Sequence, residues 1–188
     1  MEFNKLISEK LHPLFTDNGF KLTEQSKHFV NYKSGSLVVE MFHNQFENSY
    51  TLWIGRDCFQ SVEIDNEVMT GFFNSDLKFC NLPRETFVNN VFLFFTGEGE
   101  GLIKGNESDF ISLEKFSDRR SYEYTESLMN EQYLEAANIA WKEGNYTDVI
   151  RYLKKINEES LPNSFKLKYK IAQKRIERNR KRGQSKFS

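Results

Sequence analysis

Residues 28–55 read HFVNYKSGSLVVEMFHNQFENSYTLWIG, in which three apolar and β-branched runs are separated by two short polar ones. Runs of this length with period-two alternation are typical of half-buried strands, and the polar runs are typical of turns. In the third run Tyr50, Leu52 and Ile54 would face one side of a sheet, and Trp53 would face the other. The segment therefore predicts three antiparallel strands, at 28–32, 37–42 and 50–55.

The pattern continues on both sides of this segment. Residues 20–22 open a strand that residues 28–32 either continue or restart, and residues 59–64 form a fourth strand. Strands spaced by about 8 to 12 residues, with turn residues between them, indicate an antiparallel meander. Apolar side chains at helical spacing predict helices at 3–15 and 83–95 beside this meander, and Pro13 predicts a kink or a break near His12 in the first of them.

The C-terminal third is predicted to be helical. From about Ser127 the apolar residues keep helical spacing through three segments, which turn at Gly144-Asn145 and again around Pro162, with a frayed end after Arg178. Residues 107–125 are expected to hold another short helix. The fold class is therefore α+β, with a helix-flanked antiparallel sheet in residues 1–125 and a three-helix appendage with a basic end in residues 126–188.

Charge is divided unevenly along the chain. Residues 150–188 contain 13 Lys and Arg against 3 Asp and Glu, whereas residues 1–149 contain 13 Lys and Arg against 24 Asp and Glu. This asymmetry indicates either a basic tail for an anionic partner or a tail that docks on its own acidic body. A nucleic acid is one such partner, although no helix-turn-helix, zinc or RRM signature is present. The basic residues considered for that role are Lys166, Lys170, Lys174, Arg175 and Arg178.

The composition also bears on the cellular compartment. Two cysteines do not make a disulfide framework, no secretory h-region follows the N-terminus, and no run of 18 apolar residues exists. These observations predict a cytoplasmic protein that does not enter a membrane.

No catalytic signature stands out in the sequence. The glycine-rich residues 97–101 lack the spacing of a phosphate-binding loop and carry two glutamates, so a flexible acidic loop is expected, which a partner could contact. His28 and His43 could meet across the sheet and form a metal site with Cys58. Ordinary histidines at the rim of the sheet are the simpler interpretation, so no metal and no cofactor is predicted.

A second group of polar residues follows the meander. Glu63, Asp65 and Glu67 alternate along an expected strand end, which would place all three carboxylates on one side. Such a group suits a cation, acid–base chemistry or a basic protein surface, and it also suits a merely solvated strand face.

Residues 136–156, AANIAWKEGNYTDVIRYLKKI, resemble one tetratricopeptide unit. Ala137 occupies the small-residue position of the first helix of that motif, and Gly144 and Tyr146 match the turn and the start of the second helix. Val149 stands where the motif prefers Ala, which implies looser packing. A single unit implies a helical appendage rather than a peptide-binding solenoid, because a solenoid needs about three repeats to be stable.

The opening helix, the Asn18-Gly19-Phe20-Lys21 sequence and the Phe- and Trp-rich meander are similar in layout to bacterial cytoplasmic domains among polymorphic-toxin immunity proteins. The resemblance covers about the first half of the chain. It implies a non-enzymatic inhibitor that binds and occludes a cognate toxin.

The leading hypothesis is a non-enzymatic cytoplasmic protein-binding protein of this immunity type, whose acidic, aromatic surface covers a basic toxin such as a nuclease. The alternative is a nucleic-acid-associated protein that uses the basic C-terminal helix. A third hypothesis, an enzyme with a His/Cys site on the sheet, requires a bound metal. The expected partner-binding residues are Tyr50, Trp53, Glu63, Asp65, Glu67, Glu98 and Glu100.

Overall fold

The computed structural model describes residues 2–56 and 61–184. The chain divides into two compact units, Met1–Arg119 and Arg120–Ser188. Among the described residues, no helix combines the length and the apolar character needed to cross a bilayer.

The first unit contains a five-stranded antiparallel sheet whose strands lie in chain order. The hairpins are short, so each strand pairs with the next one in the chain, which confirms the predicted meander. Phe59, with which the last strand was predicted to begin, lies outside the described residues. The strands are β1 (Lys21–Gln25), β2 (Phe29–Ser34), β3 (Leu37–Asn44), β4 (Ser49–Arg56) and β5 (Ser61–Glu63).

The N-terminal helical segment is broken where Pro13 predicts it. Helix α1 spans Phe3–Lys10 and helix α2 spans His12–Asp17. Pro13 lies in the first turn of α2, where its missing N–H costs no helical hydrogen bond. Gly19, with φ of +80°, follows α2 in the left-handed region and lets the chain turn into β1.

Three further helices follow the sheet: α3 (Asn66–Gly71), α4 (Arg84–Thr96) and α5 (Glu100–Ile103). The flexible acidic loop expected at residues 97–101 is wrong, because Gly99 is buried and α5 begins at Glu100. An added Cβ at Gly99 would lie 2.5 Å from Cε1 of Phe94, so this glycine permits close packing rather than flexibility.

The core of the first unit lies on one side of the sheet. Each large apolar side chain that is fully buried in this core stabilises the fold by about 1.5–3 kcal/mol relative to an exposed one. The sheet contributes Val30, Tyr32, Val39, Met41, Leu52 and Ile54, and the helices contribute Phe3, Leu6, Phe15, Phe87, Val88, Phe94 and Phe95.

Helix α6 (Glu107–Lys142) is continuous over 36 residues. The helical structure expected within residues 107–125 and from Ser127 is confirmed, but the expected break between the two helices is wrong. The physical reason is plain in the sequence, because no Gly or Pro interrupts residues 107–142. Arg56 of β4 pairs with this helix through Glu107 at 3.4 Å and Glu114 at 3.1 Å.

The second unit has its own smaller core. Helix α7 (Tyr146–Leu153) and helix α8 (Asn163–Gln184) pack together with the last turns of α6. Helix α8 continues past Arg178, so the fraying expected there is wrong as far as Gln184. The buried residues of this core are Ala137, Ala140, Val149, Leu153, Ile156, Leu161 and Ala172.

Candidate protein-binding face

The side of the sheet opposite the core carries a row of polar and aromatic residues. Along β4, Leu52 and Ile54 are buried in the core, whereas Trp53 between them points to the opposite side and is half-buried. Trp53 lies directly opposite Glu40 of β3 and Glu63 of β5. Glu40 in turn lies opposite Asn31 of β2, and Asn31 opposite Glu24 of β1. These five residues, Glu24, Asn31, Glu40, Trp53 and Glu63, are called the Trp53 row.

Hydrogen bonds hold the middle of the Trp53 row in place. Asn31 is buried, with 7 % of its surface exposed, and its Nδ2 donates to Oε1 of Glu40 at 2.9 Å. The Thr23 hydroxyl donates to Oδ1 of Asn31, also at 2.9 Å. A buried amide is stable only when it is paired, so this arrangement restrains the Glu40 carboxylate beside Trp53.

Exposed aromatic surface adjoins the row. Phe29 of β2 and Phe42 of β3 are directly opposite each other, with ring centroids 4.6 Å apart. Phe42 is 38 % exposed. At the opposite end of β2 from this aromatic pair, Lys33 lies directly opposite Lys21 of β1, so two lysines adjoin the row there.

Tyr50 was expected to bind the partner, and this prediction is wrong. The side chain is buried on the core side of the sheet, with 5 % of its surface exposed. Its ring stacks on His43 with centroids 4.6 Å apart, and its hydroxyl accepts a hydrogen bond from Nε of Arg84 at 3.4 Å. Strand alternation places Tyr50 with Leu52, so it does not belong to a surface that includes Trp53.

The expected single-sided group at Glu63, Asp65 and Glu67 is also wrong. Strand β5 ends at Glu63, and Asp65 is the N-cap of α3, where its side chain accepts from the Val68 N–H at 2.8 Å. Glu67 lies in the first turn of that helix. The signal was present in the sequence, since an Asp directly before a helical segment is a capping signature.

Glu98 and Glu100 belong to another part of the first unit. Hydrogen bonds from the Ser75 hydroxyl and from its own backbone N–H hold the pKa of the Glu98 carboxyl below its usual range. Glu100 pairs with Lys104 along α5. Both glutamates are exposed, and their contact with a partner stays a prediction. Asn31, Glu40 and Phe42, which lie on the Trp53 side of the sheet, were not among the partner-binding residues predicted from the sequence.

The basic residues of α8 form a stripe. Lys166, Lys170, Lys174 and Arg178 recur at intervals of four along the helix, and Arg175 lies beside them. Lys154, the C-cap residue of α7, was not among the basic residues predicted from the sequence, and it joins Lys166 and Lys170 around a cavity of about 280 Å³. The other residues that line the cavity are Leu153, Ile156, Glu158, Leu161 and Tyr169.

His28 and His43 do meet across the sheet, with their Nδ1 atoms 3.3 Å apart. Cys58, the third ligand considered, lies outside the described residues. In residues 2–56 and 61–184 no group of three or more His, Cys, Asp and Glu side chains is placed to hold a metal ion.

Comparison of this chain with family models, with curated proteins and with solved structures finds no match.

Proposed function

We propose that this protein is a non-enzymatic binding protein of the immunity type, which inhibits a basic toxin domain by covering its surface. The observation that carries the proposal is the half-exposed Trp53 held between Glu40 and Glu63 on a five-stranded sheet. The partner side of the contact would supply Lys or Arg beside an apolar pocket for the indole.

The Trp53 row has the chemistry of an interaction hot spot. Tryptophan is enriched among the residues that dominate binding energy, and it loses little conformational entropy because it has two side-chain torsions. Glu40 is already oriented by Asn31, so less ordering is needed when a partner binds. The adjacent Phe42 adds exposed aromatic area.

The charge distribution supports a basic partner. Residues 1–149 carry a net charge of −11 from 13 basic and 24 acidic residues. Long-range attraction of this kind accelerates encounter with a positively charged protein, and the effect weakens as salt screens it. The proposed mechanism is steric, because the bound sheet denies the substrate access to the toxin, and no bond is made or broken.

Co-purification of the tagged full-length chain from its native host tests the proposal. The expected partner is a basic toxin domain whose activity falls when the purified protein is added. Trp53→Ala should weaken that complex by ~30-fold, which corresponds to the loss of about 2 kcal/mol expected for a hot-spot residue. Glu40→Gln and Glu63→Gln should slow association more at low salt than at high salt.

Tyr124→Ala is the matched control, since Tyr124 is an exposed aromatic residue of the second unit, 67 % exposed. It should leave the affinity unchanged. An unchanged affinity of the Trp53→Ala variant would refute the assignment of this face, and recovery of the chain without any basic partner would count against the immunity function.

A second function is supported by the α8 stripe. Its four cations at intervals of four residues match the repeated charges of a nucleic-acid backbone. Deleting α8 is an unsuitable test, because Ala172 and the half-buried Phe165 and Tyr169 belong to the core of the second unit. Substitutions that replace an exposed lysine with glutamine remove the charge and preserve that core.

A gel-shift titration with a short duplex DNA distinguishes this function from the first. If four phosphates are neutralised, affinity should fall by about 100-fold between ~50 mM and ~200 mM salt, and the double variant Lys170→Gln/Lys174→Gln should reduce the salt slope by about two. Lys115→Gln, an exposed lysine of α6 in the first unit, is the control. An equal affinity for DNA in the unmodified protein, the double variant and the control would exclude the α8 stripe as the DNA-binding surface.

A further inference from the structure

The imidazoles of His28 and His43 are neighbours at one end of the sheet. The backbone N–H of His43 donates to the His28 carbonyl at 2.8 Å, directly beyond the Phe29–Phe42 pair that ends the β2–β3 ladder. The two rings lie on the same side of the sheet as Tyr50, with centroids 5.3 Å apart and planes inclined by 48°. Their Nδ1 atoms are 3.3 Å apart.

That separation equals the distance between two ligands of one tetrahedral metal ion. Imidazole nitrogens bound to Zn²⁺ at about 2.05 Å, with a tetrahedral angle between the bonds, lie about 3.3 Å from each other. Without a metal, the same separation allows one ring to donate a hydrogen bond to the other. The spacing therefore suits a shared cation as well as a shared proton.

The surroundings of His43 present the correct nitrogen to a metal. Its Nε2 lies 3.4 Å from Oδ1 of Asn48, and an amide oxygen accepts hydrogen bonds only. When Nε2 donates to this oxygen, the hydrogen is on Nε2 and the lone pair of Nδ1 is available to a metal. The ring is also packed, because it stacks on Tyr50 with an interplanar angle of 11° and contacts Phe3 at 5.8 Å between centroids. Restraint of this kind by groups that do not touch the metal is typical of histidine ligands.

Lys27 precedes His28 in the chain. Its ammonium opposes any bound cation, so this side chain limits the affinity.

We propose that His28 and His43 together bind one divalent transition-metal ion, with Zn²⁺ as the expected ion. Imidazole ligands select Zn²⁺, Cu²⁺ and Ni²⁺ over Mg²⁺ and Ca²⁺, which prefer oxygen. The described residues supply two ligands, and water completes the coordination. The site is on the core side of the sheet rim, so it is independent of the proposed binding through the Trp53 row.

Calorimetric titration of the full-length protein with zinc chloride at neutral pH tests the site. We expect one Zn²⁺ per chain, and at least a ten-fold weaker affinity in each of His28→Ala and His43→Ala. Magnesium chloride should give no heat of binding. Lys27→Met should tighten zinc binding, because it removes the nearby positive charge.

His12→Ala is the matched control. It removes the third histidine of the chain, whose Nδ1 lies 3.3 Å from the Tyr32 hydroxyl instead. Zinc affinity should be unchanged in this variant, and circular dichroism should show that all the variants are folded. Zinc binding that survives in the double variant His28→Ala/His43→Ala would place the ion elsewhere and overturn the proposal, as would the absence of binding to the unmodified protein.

Discussion

Val149 is fully buried in α7, yet the tetratricopeptide motif prefers Ala at its position. The substitution Val149→Ala therefore separates two expectations. Burial predicts that removing the side chain destabilises the second unit, whereas the motif predicts that Ala fits the helix packing there at least as well. Val88 of α4 is an equally buried valine in the first unit, and Val88→Ala is the matched control.

The magnitude follows from the burial. Valine has two carbons more than alanine, and at about 0.8 kcal/mol for each buried carbon their removal costs about 1.6 kcal/mol. The cavity left behind raises the loss to about 2 kcal/mol, because neighbouring side chains relax only in part. With an m value of about 2 kcal/mol/M, the urea midpoint should fall by about 1 M.

The two tryptophans of the chain provide the assay, since Trp53 reports on the first unit and Trp141 on the second. Trp141 is partly buried in the second core, 5.7 Å from the ring of Tyr146 between centroids. In a Trp53→Phe background, Val149→Ala should shift the unfolding transition seen by Trp141 fluorescence. In a Trp141→Phe background, Val88→Ala should shift the transition seen by Trp53.

Two results would refute this reasoning. An unchanged Trp141 midpoint in Val149→Ala would show that the position tolerates alanine, as the motif implies. Equal shifts of both reporters for either substitution would show that the two cores do not unfold separately.

Three further predictions concern the first unit. Asp65→Ala should lower its unfolding free energy by about 1 kcal/mol in urea denaturation, because the Val68 N–H loses its cap, whereas Asp65→Asn should keep most of the stability. Burial raises the pKa of Tyr32 to about 12 from 10.0, so the neutral phenol favours the folded state. Stability should therefore be full below about pH 10 and fall as the pH rises towards 12, and Tyr32→Phe should remove that loss in thermal melts followed by circular dichroism. Gly99→Ala should destabilise the unit by about 1–3 kcal/mol in the same melts, because the new Cβ would overlap the Phe94 ring, and an unchanged midpoint would contradict the close packing.

Local patterns were sufficient for most elements. Alternation predicts the meander, Pro13 predicts the break between α1 and α2, and Gly144 predicts the turn before α7. Each of these signals depends on a few neighbouring residues and on backbone sterics, which operate in the same way in any fold.

The errors arose where one residue type suits two local structures. Asp65 suits a polar strand end and an N-cap, and the chain adopts the cap because α3 follows at once. Glycines 97, 99 and 101 are compatible with either a mobile loop or a tightly packed turn. The chain forms the packed turn, because the Phe94 ring lies directly beside Gly99.

By itself the sequence determined which residues share a side of each strand, because side chains alternate with period two. The tertiary structure alone decided which neighbours those side chains meet. Asn31, Glu40, Trp53 and Glu63 come from four different strands, and they form a row only in the observed register. A shift of one residue would turn every side chain of a strand to the opposite side, and what prevents that shift is burial of Leu52, Ile54 and their partners against the helices.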